Sequence, residues 1–389
     1  MTSLTLPLPA GGTENYTLSG TPVERPKSPH RFNRIAFAAA HVVADPMAAH
    51  DPWIESAVDW DRTLAFRHHL WDLGLAVAEA MDTSQRGMGL DWLTARELIR
   101  RSIAEARTRS DAVVFSGVGT DHLVLTDHVT IDDVVLAYLE QIEAVAAEGG
   151  RMIVMASRAL AAKARSSDDY ASVYGRILGQ VSEPVILHWL GDMFDPALAG
   201  YWGNDDIDAA MENCLTIIEE NAAKIDGIKI SLLDKDKEII MRRRLPEGVR
   251  MYTGDDFNYP ELIEGDGEHA SDALLGIFDS IAPVASAALA ALAEGDTNRY
   301  RALLAPTVPL ARHIFAAQTR FYKTGVVFLA WLNGHQPAFT MVGGQESARS
   351  ALHFAELFRL ADAAGLLDDP AQAADRFGGW LSVHAGIER

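Results

Sequence analysis

Short hydrophobic runs and amphipathic stretches alternate along most of this chain. Eight apolar runs predict β-strands, at residues 34–39, 75–80, 112–117, 151–156, 184–189, 227–232, 249–253 and 269–274. Between most of them, apolar residues three or four positions apart predict helices, at residues 60–73, 92–106, 129–147 and 208–223. A strand followed by a helix, repeated eight times, is typical of a parallel (β/α)8 barrel. An open doubly wound sheet is the alternative, although no glycine-rich dinucleotide turn follows the first run.

The two ends of the chain have different patterns. Residues 1–30 are rich in proline, glycine, serine and threonine, which predicts an irregular N-terminal arm. Residues 31–276 would form the barrel. Residues 277–389 read as a C-terminal helical region, with helices predicted at 277–294, 297–319, 321–332 and 345–364.

Composition and charge narrow the possible partners. Of the 389 residues, 48% are hydrophobic and 23% are charged, as in ordinary soluble globular proteins. The net charge of −20 argues against a nucleic-acid partner, because phosphate binding needs clustered lysines and arginines. The single cysteine, Cys214, excludes a disulfide within the chain and a cysteine-based metal cluster. No signal peptide or membrane-length apolar run is found, so we expect a cytoplasmic protein without membrane contact.

Lys229 lies in the middle of a β-branched run, Asp226-Gly-Ile-Lys-Ile-Ser231. Alternation along a strand puts Ile228 and Ile230 on one face, and Lys229 with Ser231 on the other. A buried ammonium is costly unless it is paired or loses its proton, and an amine pushed toward neutrality can attack a carbonyl. An exposed lysine on an edge strand is the alternative interpretation of this segment.

Other polar residues fall near the predicted ends of the strands, where barrel enzymes place their active sites. They are His41, Glu79, Asp82, Thr83, Ser84, His122, His188, Lys229, Tyr252, Asp255 and Asp256. Each has an ordinary alternative role, such as capping the next helix or making a structural hydrogen bond. Their convergence on one rim of the barrel predicts a site there.

Six segments occur in the order and on the strands known from one enzyme superfamily. They are residues 82–90, 114–119, 184–188 (Pro-Val-Ile-Leu-His), 227–229 (Gly-Ile-Lys), 252–256 (Tyr-Thr-Gly-Asp-Asp) and 322–325. Over residues 32–365 the chain resembles the dihydrodipicolinate synthase and N-acetylneuraminate lyase superfamily of class I Schiff-base aldolases. The resemblance implies a (β/α)8 TIM barrel with a C-terminal helical extension.

The resemblance also implies roles for particular residues. Lys229 would form the Schiff base, His188 would transfer protons, and Thr83 and Ser84 would orient that relay. Residues expected to contact the substrate are Asp82, His41, Ser231, Tyr252 and Gly254. The expected partner is a small carbonyl compound, a keto acid or sugar derivative, with no cofactor, in a homo-oligomer of two or four copies. Carbon–carbon cleavage, condensation and dehydration all stay open.

Three departures from the superfamily pattern identify a divergent member with a changed substrate. His188 stands where relatives have a tyrosine that relays protons. Met193 stands near the position where several relatives carry an arginine for the substrate carboxylate, and Arg86 or Arg158 could replace it. The family's proline and tyrosine segment after the fourth strand is replaced here by residues 156–160.

Two other functions are compatible with the sequence. A metal-dependent barrel lyase or isomerase could use the side chains of His41, Glu79, Asp82, His122 and His188, although their spacing forms no recognised motif. Alternatively, the loss of the relay tyrosine and the arginine could mark a non-catalytic small-molecule binder that keeps the barrel.

Overall fold

The computed structural model describes residues 2–24 and 31–387, and all eight predicted barrel strands are present. The strands of the described residues are β1 Ser3–Pro7, β2 Thr13–Thr17, β3 Ala36–Ala39, β4 Ala76–Glu79, β5 Val114–Val118, β6 Arg151–Val154, β7 Val185–Leu190, β8 Ile225–Ser231, β9 Arg250–Thr253 and β10 Asp272–Leu275. Strands β3 to β10 pair in parallel with their neighbours in chain order, and β10 pairs with β3 to close the barrel. The predicted fold class, a TIM barrel, is confirmed.

The N-terminal arm is more regular than its composition predicts. Strands β1 and β2 form an antiparallel hairpin, in which Leu4 and Leu6 are buried and Thr5 between them is partly exposed. Gly11 and Gly12, both with positive φ, carry the turn between the two strands. The prediction of an irregular arm is therefore wrong for residues 3–17, and residues 25–30 of that arm lie outside the described residues.

Helices follow the barrel strands and fill the C-terminal part of the chain. Within the described residues they are α1 Trp60–Asp72, α2 Trp92–Ala106, α3 Ile131–Ala147, α4 Arg158–Lys163, α5 Ser167–Leu178, α6 Ile207–Glu220, α7 Lys235–Arg242, α8 Tyr259–Glu264, α9 Ile277–Ser280, α10 Ala282–Ala293, α11 Thr297–Leu304, α12 Thr307–Ile314, α13 Tyr322–Leu332, α14 Ala351–Ala363 and α15 Pro370–Ala385. The aspartates that precede α1, α2 and α6 cap these helices, because each side chain accepts a hydrogen bond from a backbone N–H in the first turn. The first two helices predicted for the C-terminal region are each divided in two, and α15 was not predicted.

The chain divides into two compact units. The barrel unit contains Arg34–Ala40 and Ala76–Gly276, and therefore every strand of the barrel. The helical unit contains Met1–Asn33, His41–Leu75 and Ile277–Arg389. Within the described residues, no helix has both the length and the hydrophobicity required to cross a lipid bilayer.

Aromatic side chains fill the interior of the barrel unit below its polar residues. The ring of Phe37 lies 5.0 Å from that of Phe115 and 6.0 Å from that of Tyr252, in edge-to-face contacts. An added Cβ at Gly227 would lie 2.6 Å from the Tyr252 ring, so glycine leaves the space that the ring occupies. This packed layer supports the residues that follow Gly227 along β8.

Candidate active site

Lys229 is buried, and no ion pair from the described part of the chain neutralises it. The residue is 6% exposed in the centre of β8, between the fully packed Ile228 and Ile230. Within residues 2–24 and 31–387, no group forms a hydrogen bond or ion pair with its amine. The alternative of an exposed lysine on an edge strand is therefore wrong, since β8 pairs with both β7 and β9.

Burial lowers the pKa of Lys229, because removal from water disfavours its charged form. The nearby carboxylates Asp82 and Asp256 raise the pKa of Lys229 and so offset part of this lowering. The net shift is downward, so a larger fraction of this amine is unprotonated near neutral pH than for a lysine in water.

His188 is the strand neighbour of Lys229. The two residues are register partners between β7 and β8, and His188 is 1% exposed. Its Nε2 lies 3.2 Å from the Oγ of Ser231, two residues beyond Lys229. Burial, and secondly the charge of Lys229, hold the pKa of His188 well below its usual range. The imidazole is therefore neutral near pH 7, and one of its two ring nitrogens carries no proton.

Gly254 allows β8 and the chain after β9 to approach closely beside the lysine. A Cβ at this position would lie 2.3 Å from Ser231 Oγ, 2.6 Å from the Ile230 carbonyl oxygen and 2.7 Å from Lys229 Cε. The backbone N–H of Gly254 donates to that same carbonyl at 2.9 Å, which holds the two segments together. A side chain at residue 254 would displace Lys229, Ser231 or both.

We expect Gly254→Ala to misplace the lysine amine. The carbonyl oxygen of Ile230 belongs to a barrel strand and cannot move aside, so the cost is backbone strain of about 1–3 kcal/mol. The measurement is the unfolding free energy, together with the rate at which a keto acid modifies Lys229. Gly175→Ala serves as the control, because its Cβ would lie in open space within α5. Gly248→Ala is unsuitable as a control, because Gly248 has a positive φ. Equal loss in both variants would contradict the packing role of Gly254.

Thr83 and Ser84 lie on a buried 3₁₀ turn, Asp82–Ser84, that follows β4. The Ser84 hydroxyl donates to the carbonyl oxygen of Ala40 at 3.0 Å. Within the described part of the chain, the side-chain hydrogen bond of His188 is made by Ser231 and by neither residue of this turn. A role for Thr83 and Ser84 in the relay stays a prediction.

Two residues expected to contact substrate have other partners. Tyr252 packs its ring in the aromatic layer and donates its hydroxyl to Asp226 Oδ2 at 2.6 Å, so the expectation of a substrate contact is corrected to a packing role. His41 belongs to the helical unit, where its Nδ1 lies 2.8 Å from Asp279 Oδ2.

The side chains of the alternative metal site have separate partners. Glu79 accepts from the Ser102 hydroxyl at 2.5 Å, and His122 lies 2.8 Å from the Gln141 side-chain amide. Among the described residues, no group of three or more His, Cys, Asp or Glu side chains is arranged to hold a metal ion. The geometry gives no support to a metal centre built from His41, Glu79, Asp82, His122 and His188.

A cavity of about 440 Å³ lies beside His188 in the barrel unit. Asp82, which interacts with Lys229, also contributes to its wall. Further wall residues come from the segments that follow β5 and β6, among them Thr120 and Arg158. The volume lies within the range of about 300–1,000 Å³ that is typical of small-molecule sites.

Arg86 reaches this cavity, but its guanidinium is fully engaged by protein acceptors. Its Nε and Nη2 bond to the two carboxylate oxygens of Asp121, each at 2.9 Å. Its Nη1 bonds to the carbonyl oxygens of Ala80 and Gly117, and Nη2 also contacts Gln141 Oε1. All five N–H groups are used, so Arg86 is a structural residue. No local sequence pattern indicates this network, because its members other than Ala80 are 31 to 55 positions away from Arg86.

Comparison with known proteins now places the chain in a family. Residues 4–387 match the family described as "Protein of unknown function (DUF993)". The chain belongs to the DUF993 family. No curated protein matches it significantly.

Solved structures similar to this DUF993 protein have the fold of dihydrodipicolinate synthase. The Aquifex aeolicus dihydrodipicolinate synthase aligns with a TM-score of 0.63 and 14% identity, over 86% of this chain and 100% of its own. The 4-hydroxy-tetrahydrodipicolinate synthase of Methylacidiphilum fumariolicum SolV aligns with a TM-score of 0.64 and 13% identity, over 85% and 95%. YagE of E. coli K12, solved in complex with pyruvate, aligns with a TM-score of 0.63 and 14% identity, over 91% and 99%. The expected resemblance is confirmed at the level of the fold.

Proposed function

We propose that this DUF993 protein is a Schiff-base-forming lyase, aldolase or dehydratase that acts on a keto acid or a sugar-derived carbonyl compound. The observation that carries the proposal is the amine of Lys229, which is buried, unpaired within the described residues and next to a neutral histidine. A buried lysine of lowered pKa, whose strand neighbour His188 lines a cavity, has the features that nucleophilic catalysis by an amine requires.

The proposed reaction begins when the neutral amine of Lys229 attacks the carbonyl carbon of the substrate. The carbonyl oxygen takes up two protons and leaves as water, and the nitrogen keeps a double bond to carbon as a protonated imine. Electrons from an adjacent C–H or C–C bond then move toward the positive nitrogen and form an enamine. Reprotonation of the carbon and hydrolysis of the imine regenerate the lysine and release the product.

His188 is the proposed acid and base for these transfers. As a neutral imidazole it accepts a proton, either from the carbon or from the hydroxyl of the group being cleaved. It returns that proton in a later step. The hydroxyl of Ser231, at 3.2 Å, fixes the orientation of the ring. Thr83 and Ser84 would contact the relay, and Asp82 and the backbone at Gly254 would contact the substrate. The metal-dependent alternative is not favoured by any contact in the described residues.

Reductive trapping tests the proposal. The protein is incubated with pyruvate, other 2-oxo acids and keto sugars, reduced with borohydride, and analysed by intact and peptide mass spectrometry. The expected result is one added carbonyl compound less its oxygen atom, located on the peptide that contains Lys229. Unmodified protein across the whole panel, or modification spread over surface lysines, would contradict the proposal. Saturable binding of a panel member without any adduct would favour the non-catalytic binder instead.

We further propose that the protein forms a homo-oligomer of two or four copies in the cytoplasm, as the superfamily resemblance implies. Sedimentation of the purified full chain measures the number of copies.

A further inference from the structure

Arg158 differs from Arg86 in the donors that it leaves free. Its Nε donates to Asp195 Oδ2, an ion pair that orients the guanidinium. No residue in the described ranges accepts a hydrogen bond from Nη1 or Nη2 of Arg158. Four N–H hydrogens of a half-exposed side chain in the cavity wall are therefore available to a ligand.

The backbone beneath Arg158 leaves room for its guanidinium. Gly87 also lines the cavity and has a φ of 71°, and a Cβ there would lie 3.3 Å from Nη1 of Arg158. Asp195 holds the other edge of the guanidinium, so the free edge is the one formed by Nη1 and Nη2. Two parallel N–H groups on a planar fork match the two oxygens of a carboxylate.

Thr120 adds a second donor to the same cavity. It is 5% exposed, and its Oγ1 lies 2.6 Å from the Oγ of the buried Ser157. That Ser157 oxygen already accepts the backbone N–H of Leu160 at 3.0 Å. If the Ser157 hydroxyl donates to Thr120 Oγ1, the buried Ser157 hydrogen has an acceptor. The Thr120 hydroxyl hydrogen is then free to bond to a ligand. The reverse direction would leave the buried Ser157 proton without an acceptor.

The charges in the wall favour a single carboxylate as the group bound there. Asp121 is paired with Arg86 and Asp195 with Arg158, while Asp82 lies near Lys229. Two of the three carboxylates in this wall are thus already paired with arginines, and the free donors of Arg158 and Thr120 are available to a ligand. A more highly charged group would meet three carboxylates in the same wall.

We propose that Arg158 and Thr120 bind a carboxylate at the end of the substrate remote from the reacting carbonyl. The inference rests on the proposed function, and it narrows the substrate class to carbonyl compounds with a second acidic group. Neither residue forms a bond to the reacting carbon. Both determine which carbonyl compound is held with its carbonyl at Lys229.

Matched pairs of compounds test this assignment. 2-Oxoglutarate and 2-oxopentanoate have equal chain length and differ in the distal carboxylate, as do 2-oxoadipate and 2-oxohexanoate. The concentration for half-maximal borohydride trapping should be about 10- to 100-fold lower for the dicarboxylate of at least one pair. Arg158→Met should abolish this preference, Arg158→Lys should retain part of it, and Thr120→Val should reduce it severalfold.

Arg165→Met is the control, because Arg165 is an exposed arginine outside the cavity wall. It should keep the full preference. Two results would overturn the assignment of the carboxylate site and leave the Schiff-base proposal standing. One is equal trapping of both members of each pair by the parent protein, and the other is an unchanged preference in Arg158→Met.

Calorimetric binding of the same compounds separates the two proposals. Dicarboxylate binding that depends on Arg158, without trapping of any compound, would overturn the Schiff-base chemistry and support the carboxylate site. The absence of both binding and trapping would overturn both proposals.

Discussion

Lys229→Met is expected to eliminate the borohydride adduct and to lower the rate of exchange of the substrate's α-hydrogens by on the order of 10⁴-fold or more. Methionine has a similar length but no amine, so imine formation is lost while the space in the barrel stays filled. Because a costly buried amine is removed, the unfolding free energy should stay equal or rise. Mass spectrometry and proton NMR in deuterium oxide measure the adduct and the exchange.

Lys235→Met is the matched control for that variant. Lys235 is a partly exposed residue at the start of α7, with an ion pair to Glu261 at 2.8 Å. Such a surface pair contributes about 0–1 kcal/mol, so the variant should keep the adduct and the exchange rate of the parent. An adduct that persists in Lys229→Met would locate the chemistry at another lysine and contradict the account.

His188→Phe is expected to separate imine formation from proton transfer. The adduct should still form after long incubation, because Lys229 is intact. Exchange of the α-hydrogens should fall by about 10²- to 10⁴-fold, the usual contribution of a general acid or base. Time-resolved trapping and NMR exchange on the same samples give the two rates.

Ser231→Ala serves as the comparison for the histidine variant. It removes the hydroxyl 3.2 Å from His188 Nε2 and leaves the imidazole in place. We expect a smaller loss of exchange, of about fivefold, since one hydrogen bond to the ring contributes about 1 kcal/mol. A His188→Phe variant that exchanges α-hydrogens at the parent rate would assign proton transfer to another group.

The barrel could be predicted from the sequence because its strands repeat one simple pattern. Each buried parallel strand is a short apolar run, and a helix with apolar residues three or four apart follows most of them. The N-terminal hairpin was missed because Pro7, Pro9, Gly11 and Gly12 dominate the composition there, although Leu4 and Leu6 alternate with polar neighbours. Helix α15 was missed, although Asp369 before Pro370 is a standard helix start.

The lysine could be found from sequence, whereas the carboxylate-binding arginine could not. Alternation along β8 already separates Lys229 from its isoleucine neighbours. Arg86 and Arg158 were equivalent candidates in the sequence, because Asp121 and Asp195 lie 35 and 37 positions away from them. Only the side-chain contacts show that Arg86 is saturated and that Arg158 has donors to spare.

Tyr252 illustrates a different limit of sequence analysis. It lies in a motif beside two aspartates and close to the lysine, and so it resembles a site residue. Its side chain instead extends to Asp226, near the start of β8, and its ring fills the space above Gly227. Register fixes the position of a Cα atom, but the direction of a long side chain depends on the neighbouring glycine and acceptor.

The central claim is that the amine of Lys229 is uncharged often enough to bond with a carbonyl carbon. Its most direct test is the pH dependence of cyanate modification at Lys229, followed by peptide mass spectrometry from about pH 6 to about pH 11 and compared with surface lysines. Each curve is normalised to its own plateau, which removes the difference in accessibility. We predict that Lys229 reaches half of its maximal rate at a clearly lower pH than the surface lysines. A curve for Lys229 that coincides with theirs, or lies at higher pH, would contradict it.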